Sequence, residues 1–376
     1  MALKLMIPGP IEVEDAVLQE MGAPVVAHYG AAWTPIHYET IDLLKQVFAT
    51  TGKVFMMPGS GSLAADAIIH SLFSPGDKVL IGVAGYFGRR WHEILLANGQ
   101  TPVLIECGVD AQLDPAQFEQ ALVADPSIKG IVAVQLETST GVLHPIKPIA
   151  DLARQYNKLF VVDGVSSLAC MPLPMDEWGI DAVASASQKG VGGPPGLGLV
   201  ALGARAWEAI LHQPERPRSW FLDLRRWQKA IETSPDHPFP ATMPTPTIRG
   251  VHTALQSLLH TGLPARWAHY EHISRKLRDG LSDLDLALFA PESSLSKVLT
   301  PVVAPPGVAA QDICDFIAQN YQIKISTGFG TPDKELIRIG HMGAMIHDAD
   351  IDRILDALRA FLQQQPAIHA GLKHAS

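Results

Sequence analysis

Between residues 54 and 202 the chain alternates short apolar runs with stretches of helical periodicity, and this alternation limits the fold more than any other feature. The runs Val54–Met57, Lys78–Val83, Thr101–Glu106, Ile131–Leu136 and Leu159–Val162 read as strands. Leu63–Phe73, Tyr86–Asn98, Asp114–Ala124 and Ile146–Tyr156 lie between them and read as helices. Ala182–Ala186 and Leu197–Leu202 are two further apolar runs on either side of a glycine-rich turn. Strand and helix in alternation predict an α/β fold with a mostly parallel sheet sandwiched by helices. Right-handed crossovers then place the loops after the strands along one edge, where ligands of such sheets bind.

A length of 376 residues, 47% hydrophobic and 18% charged, suits one large domain plus a smaller one. A helical pattern at Asp15–Met21 and another from Pro35 to Thr50 precede the alternation. Residues 214–246 are proline-rich and read as less regular, and two long helical patterns follow, ending near Leu281. After that come a strand (Leu299–Val303), a helix (Ala309–Asn320), strands at Ile323–Ser326 and Leu336–Ile339, and a helix (Ala349–Leu362). The expected organisation is an N-terminal segment (1–20) packed on the small domain or on a dimer partner, a large domain (21–281) and a small C-terminal α/β domain (282–376). A net charge of −9 argues against nucleic acid as a partner. Cys107, Cys170 and Cys314 are far apart, without metal-ligand spacing, and read as free thiols in a reducing compartment. The Met1–Pro8 stretch is too short an apolar run for a signal peptide, the tail 373–376 shows no address signal, and no stretch approaches the roughly 20 apolar residues of a membrane span. The expected location is cytoplasmic, with no metal.

Four features fall on or beside the expected ligand edge or carry a charge on an apolar strand. Gly59-Ser60-Gly61-Ser62 lies between a strand and a helix, where free amides and hydroxyls form a phosphate cradle; an ordinary N-cap with a tight turn reads the same way. Asp163 ends the buried run Leu159–Val162, and a carboxylate there needs a cation or donors, such as a protonated heterocyclic nitrogen. A helix N-cap or a metal ligand is the alternative. Lys189 sits in Ser185-Ala186-Ser187-Gln188-Lys189-Gly190 ahead of Gly192-Gly193-Pro194-Pro195-Gly196, without charged neighbours. Desolvation there lowers an amine's pKa and makes it a nucleophile; the plain alternative is a turn with an incidental lysine. Arg338, in Leu336-Ile337-Arg338-Ile339-Gly340, matches a carboxylate bidentately or forms a structural salt bridge.

Cradle, strand-end carboxylate and bracketed lysine together are the contacts a pyridoxal phosphate site requires. With Pro8-Gly9-Pro10, Glu137-Thr138-Ser139-Thr140-Gly141-Val142, Val161-Val162-Asp163-Gly164-Val165-Ser166-Ser167-Leu168 and Pro194-Pro195-Gly196, they occur in one order over nearly the whole chain. In this the sequence resembles the class V pyridoxal-phosphate-dependent aminotransferases of fold type I, of the alanine–glyoxylate and serine–pyruvate type. The resemblance implies a Schiff base and proton transfer at Lys189, Asp163 paired with the pyridine nitrogen, and Val165 against one ring face. It implies Ser60, Gly61, Ser62 and Gln188 at the phosphate, Thr138 near the ring hydroxyl, and Phe87 stacked on the ring where the family often has Trp. Phe87 reads equally as a core aromatic at a helix start. Arg338 would take the substrate carboxylate, with Gly9 and Tyr29 on the substrate side. Thr242 would reach the phosphate of the neighbouring subunit in a homodimer, and Phe239 replaces a tyrosine whose hydroxyl contact is lost. The implied activity is amino transfer from a small amino acid, alanine or serine, to glyoxylate or pyruvate. The alternatives are a 2-aminoethylphosphonate or ureidoglycine donor, a cysteine desulfurase or other lyase, and a non-catalytic cofactor-binding protein. Cys314, in a helical pattern flanked by acids, is a poor desulfurase cysteine.

Overall fold

The structure, a computed structural model, describes residues 3–214, 219–328, 330 and 335–364. The expected tail at 373–376 therefore lies outside the described residues. Seven strands form the central sheet in the order Lys53–Pro58, Leu197–Leu202, Ala182–Ala186, Leu159–Asp163, Gly130–Val134, Lys78–Val83 and Thr101–Glu106. Leu197–Leu202 runs antiparallel to both its neighbours, and the other pairs are parallel. Ala182–Ala186 and Leu197–Leu202 are buried along their whole length, which is why they read as unbroken apolar runs rather than alternating ones. Helices cover the sheet, among them Gly61–Leu72, which packs beneath Ala182–Ala186 and Leu197–Leu202, and Tyr86–Ala97, which packs on Lys78–Val83.

A second core lies between Leu263–Ser282 and the C-terminal elements. It gathers Ile273, Leu277, Leu281, Val302, Ile313, Ile317, Ile337, Ile339, Ile351 and Leu358 around the antiparallel sheet Leu299–Val303, Leu336–Gly340 and Ser326–Thr327. The N-terminal segment reaches both cores. Lys4–Leu5 pairs in parallel with Ile323–Lys324, Met6 is buried in the second core, and Gly340 donates its amide to the Met6 carbonyl. Lys4 Nζ sits 3.0 Å from a Glu12 carboxylate oxygen and 3.4 Å from one of Asp350. A few residues on, the Ile11 amide donates to the Gln188 carbonyl.

Three local expectations change. The proline-rich stretch is not irregular throughout: Leu224–Thr233 is a helix, capped by Asp223 and buried through Leu224 and Trp227. Its prolines flank the helix and leave its stripe intact. Ile131–Leu136 ends at Val134, and Leu136–Glu137 instead pairs with Val142–Leu143 in a small hairpin. Ile323–Ser326 divides at Ile325, so that Ile323–Lys324 serves the N-terminal strand and Ser326–Thr327 the small sheet. No helix among the described residues is long and apolar enough to cross a membrane.

Candidate active site

The loops at the carboxyl edge of the large sheet enclose one cavity. Its walls include Ser60, Gly61, Ser62, Phe87, Thr138, Asp163, Val165, Gln188 and Lys189, nine residues singled out from the sequence. Lys189 lies in the turn joining Ala182–Ala186 to the antiparallel Leu197–Leu202. That turn is closed by the Gly192 amide on the Lys189 carbonyl at 2.8 Å and by Ser187 Oγ on the Pro194 carbonyl. The lysine Nζ donates to the Pro8 carbonyl at 2.5 Å. Burial first, and then the Arg338 charge, lower its pKa to about 8, so about a tenth of the amine is neutral at pH 7, far more than for an ordinary lysine. Gly9 lies against the same side chain. Its φ is +133°, and a Cβ there would sit 2.7 Å from Lys189 Nζ, so glycine is required on both counts.

Asp163 ends its strand as expected. Its carboxylate accepts from Trp91 Nε1 at 2.6 Å and from the Val165 amide at 2.8 Å. Burial pushes the carboxyl above its usual range, while those donors and the charges of Lys189 and Arg90 pull the other way. A protonated ring nitrogen beside it would strengthen that pull. Trp91 was not identifiable as a partner from the sequence, although it stands four residues after Phe87 and so on the same helix face. Ser166 was missed too; it shares a 2.6 Å hydrogen bond with Thr138 Oγ1.

The residues fit pyridoxal 5'-phosphate. The helix Gly61–Leu72 starts at Ser60 with no side-chain cap, leaving its amino end open to an anion. Gln188 Oε1, in a side chain lining the cavity, is buried without a hydrogen-bond partner. Val165 supports the cradle from below: a Cβ on Gly61 would lie 2.6 Å from Val165 Cγ2.

The neighbouring helix, Tyr86–Ala97, begins differently. Glu137, almost fully buried, accepts from the Phe87 and Gly88 amides at 3.0 and 3.1 Å through one oxygen. Through the other it accepts from the amide and hydroxyl of Ser139. Gly85 leaves room for it, since a Cβ there would lie 2.6 Å from Glu137 Cγ. Glu137 thus fixes the start of the helix that carries Phe87, a role its place in the motif did not reveal. Arg338 is buried as well. Its Nε donates to the Thr327 carbonyl and its Nη1 to the Thr138 carbonyl, both at 2.9 Å. Burial lowers its pKa to about 10 against the opposing charge of Glu137.

Of the expected residues, Gly9 and Arg338 flank the cavity without lining it, through Lys189 and Thr138, and two lie farther off within this single chain. Tyr29 is 56% exposed and packs edge-on against His28 and His237. Thr242 is exposed and does not line the cavity. His341, fully buried, hydrogen-bonds Thr300 at 2.9 Å, a structural role. Cys314 is buried in the helix Ala310–Tyr321, with its thiol pushed up to about 11 by burial, unlike a reactive sulfur nucleophile.

The class-V aminotransferase family model matches residues 14–353. The chain is 33% identical to a protein named soluble hydrogenase 42 kDa subunit from Anabaena cylindrica, over 96% of this chain and 93% of that one. It is 29% identical to an alanine–glyoxylate aminotransferase of Felis catus, over 96% of this chain and 87% of that one. The crystal structure of a ureidoglycine–glyoxylate aminotransferase from Bacillus subtilis superimposes with a TM-score of 0.91 at 27% identity, over 100% of this chain and 98% of that one. With Lys189, Asp163 and an open helix terminus around one cavity, and with a family match over most of its length, the chain belongs to the class V aminotransferases, enzymes that work with pyridoxal 5'-phosphate.

Proposed function

We propose that this aminotransferase moves an amino group from a small amino acid, alanine or serine, to glyoxylate or pyruvate. The observation that carries the reading is Lys189: a buried amine with its pKa lowered to about 8, in one cavity with Asp163. When bound, the cofactor supplies an electron sink that makes the Cα proton of an amino acid labile. Lys189 is the attachment point and carries that proton at Nζ. Asp163, held by Trp91 and the Val165 amide, keeps the cofactor's ring nitrogen protonated. Arg338 holds the substrate carboxylate. Gly9, tight against the lysine, keeps the substrate side narrow and favours small side chains. The named activities of the feline and Bacillus relatives support glyoxylate as acceptor.

The same reading includes a homodimer in which Thr242 completes the cradle of the neighbouring subunit, and a division into an N-terminal segment (1–20), a large domain (21–281) and a small domain (282–376). The exposure of Thr242 away from its own cavity supports the first part. A panel of amino donors against glyoxylate and pyruvate tests the activity: alanine with glyoxylate should yield pyruvate and glycine. If no donor yields a keto acid, amino transfer between these substrates is wrong. Mixing a Lys189→Ala chain with a Thr242→Tyr chain tests the shared site: the mixed dimer should recover activity that neither parent has.

A further inference from the structure

The cradle at Gly61–Leu72 is built from neutral groups: Ser60, Gly61, Ser62 and Gln188. A phosphate ester near neutral pH carries close to two negative charges, and the open helix terminus offers only a partial positive charge, so a cation at the same site would bind it more tightly. Lys189 cannot serve, because its Nζ is engaged by Pro8 and is the group that reacts. Resting on the proposed cofactor site above, we infer that Arg90 is the cation of the phosphate end.

Arg90 lines the same cavity, and its Nη1 donates to Ser62 Oγ at 3.1 Å, a hydroxyl of the cradle itself. Its other contacts hold the guanidinium without neutralising it. Nη2 donates to the Tyr86 hydroxyl at 3.3 Å, and the group lies over the Tyr86 and Phe87 rings at 5.0 and 4.9 Å. Among the described residues no carboxylate lies within ion-pair distance of it. The adjacent Arg89 is the contrast: exposed, it pairs with Glu106 at 3.4 Å on the outside of the helix. Two consecutive arginines thus divide between a surface ion pair and a guanidinium at the cavity wall that makes no ion-pair contact with a carboxylate among the described residues.

The test compares ligands that differ only by the phosphate. Apoprotein is titrated with pyridoxamine 5'-phosphate and with pyridoxamine, followed by protein fluorescence, for wild type, Arg90→Gln and Arg90→Lys, each shown by its thermal transition to be folded. Arg90→Gln should weaken pyridoxamine 5'-phosphate by about 10- to 100-fold, the scale of one charge-assisted hydrogen bond. Pyridoxamine affinity should stay within about twofold, and Arg90→Lys should fall between, since it keeps the charge and loses the fork. Equal weakening of both ligands would overturn the inference, because it would mean that Arg90 acts by bracing Phe87. Unchanged affinities in Arg90→Gln would overturn it too. If Arg90→Gln does not fold, Arg90→Lys decides alone: a phosphate-selective loss upholds the role, and none refutes it. A wild-type protein that binds neither compound brings down the cofactor site itself, and the role of Arg90 with it.

Discussion

Two helix amino ends meet at one cavity, and they are treated in opposite ways. Tyr86–Ala97 receives an anion from its own chain, the Glu137 carboxylate on the Phe87 and Gly88 amides. Gly61–Leu72 receives none: Ser60 makes no side-chain cap. Both ends carry the same partial positive charge and the same unpaired amides. The difference separates structure from binding. Where the helix must present a fixed platform, the protein fills the terminus internally. Where the phosphate is proposed to bind, it leaves the terminus open and lines it with small residues.

The largest effect should follow from emptying the filled end. Glu137→Ala leaves buried amides without an acceptor and should cost the apoprotein about 3 kcal/mol in urea denaturation. Glu137→Gln, keeping one acceptor oxygen, should cost roughly half of that. A loss under about 0.5 kcal/mol in both would mean that the two termini do not differ in this way. The reverse change is next in size. Ser60→Asp gives the open end its own carboxylate. It should stabilise the apoprotein by about 0.5 kcal/mol and weaken pyridoxal 5'-phosphate at least about tenfold. Undiminished cofactor affinity would show that the open terminus is not the phosphate site.

A third test concerns the cations. Arg338 feels Glu137, whereas burial and Arg338 together lower the amine of Lys189 to about 8. Recombination of apoprotein with cofactor should therefore speed up with pH to a plateau, with a midpoint near 8. Arg338→Gln removes a cation and should move that midpoint upward. The sign for stability follows from proton counts. Between about 8 and the ordinary 10.5 the unfolded chain holds a proton on Lys189 that the folded chain does not, so this lysine makes folding less favourable below 8 and the penalty fades as pH rises. Lys189→Met should flatten that rise, and an identical rise in the variant would refute the assignment. The smallest effect is that of inorganic phosphate. At about tenfold over its dissociation constant it should raise the thermal midpoint of the apoprotein by about 1–2 °C. The rise should vanish in Ser60→Asp and persist in Glu137→Gln.

How much of this was legible in the sequence depended on how local each feature is. Lys189, Asp163 and the cradle could be read because each sits at the end of an apolar run, and alternation with helices sends those ends to one edge. Lys78–Val83 and Ala182–Ala186 were readable to the residue for the same reason. Trp91, Ser166, Arg90 and the part played by Glu137 were not, because each acts through a partner brought close only by the fold. Glu137 lies 50 residues from the Phe87 amide it accepts from. Leu224–Thr233 was obscured by composition: prolines outside a helix look, in a window average, like prolines within it. Ile323–Ser326 was read as one strand because no turn signal breaks it, and nothing local says that its halves pair with different neighbours.

The N-terminal strap has a mechanical consequence. One end is stitched to the second core through Lys4–Leu5 and Met6, and a few residues later the Pro8 carbonyl holds the reactive amine. Any displacement of the second core relative to the sheet would therefore be passed along a short backbone segment that ends at the carbonyl Lys189 Nζ donates to. Arg338, which belongs to the small sheet, sits on the same strand that holds Met6, so the carboxylate capture proposed for it would bear on that segment. The proposed carboxylate site and the contact that holds the lysine amine are in this way joined by a short length of backbone.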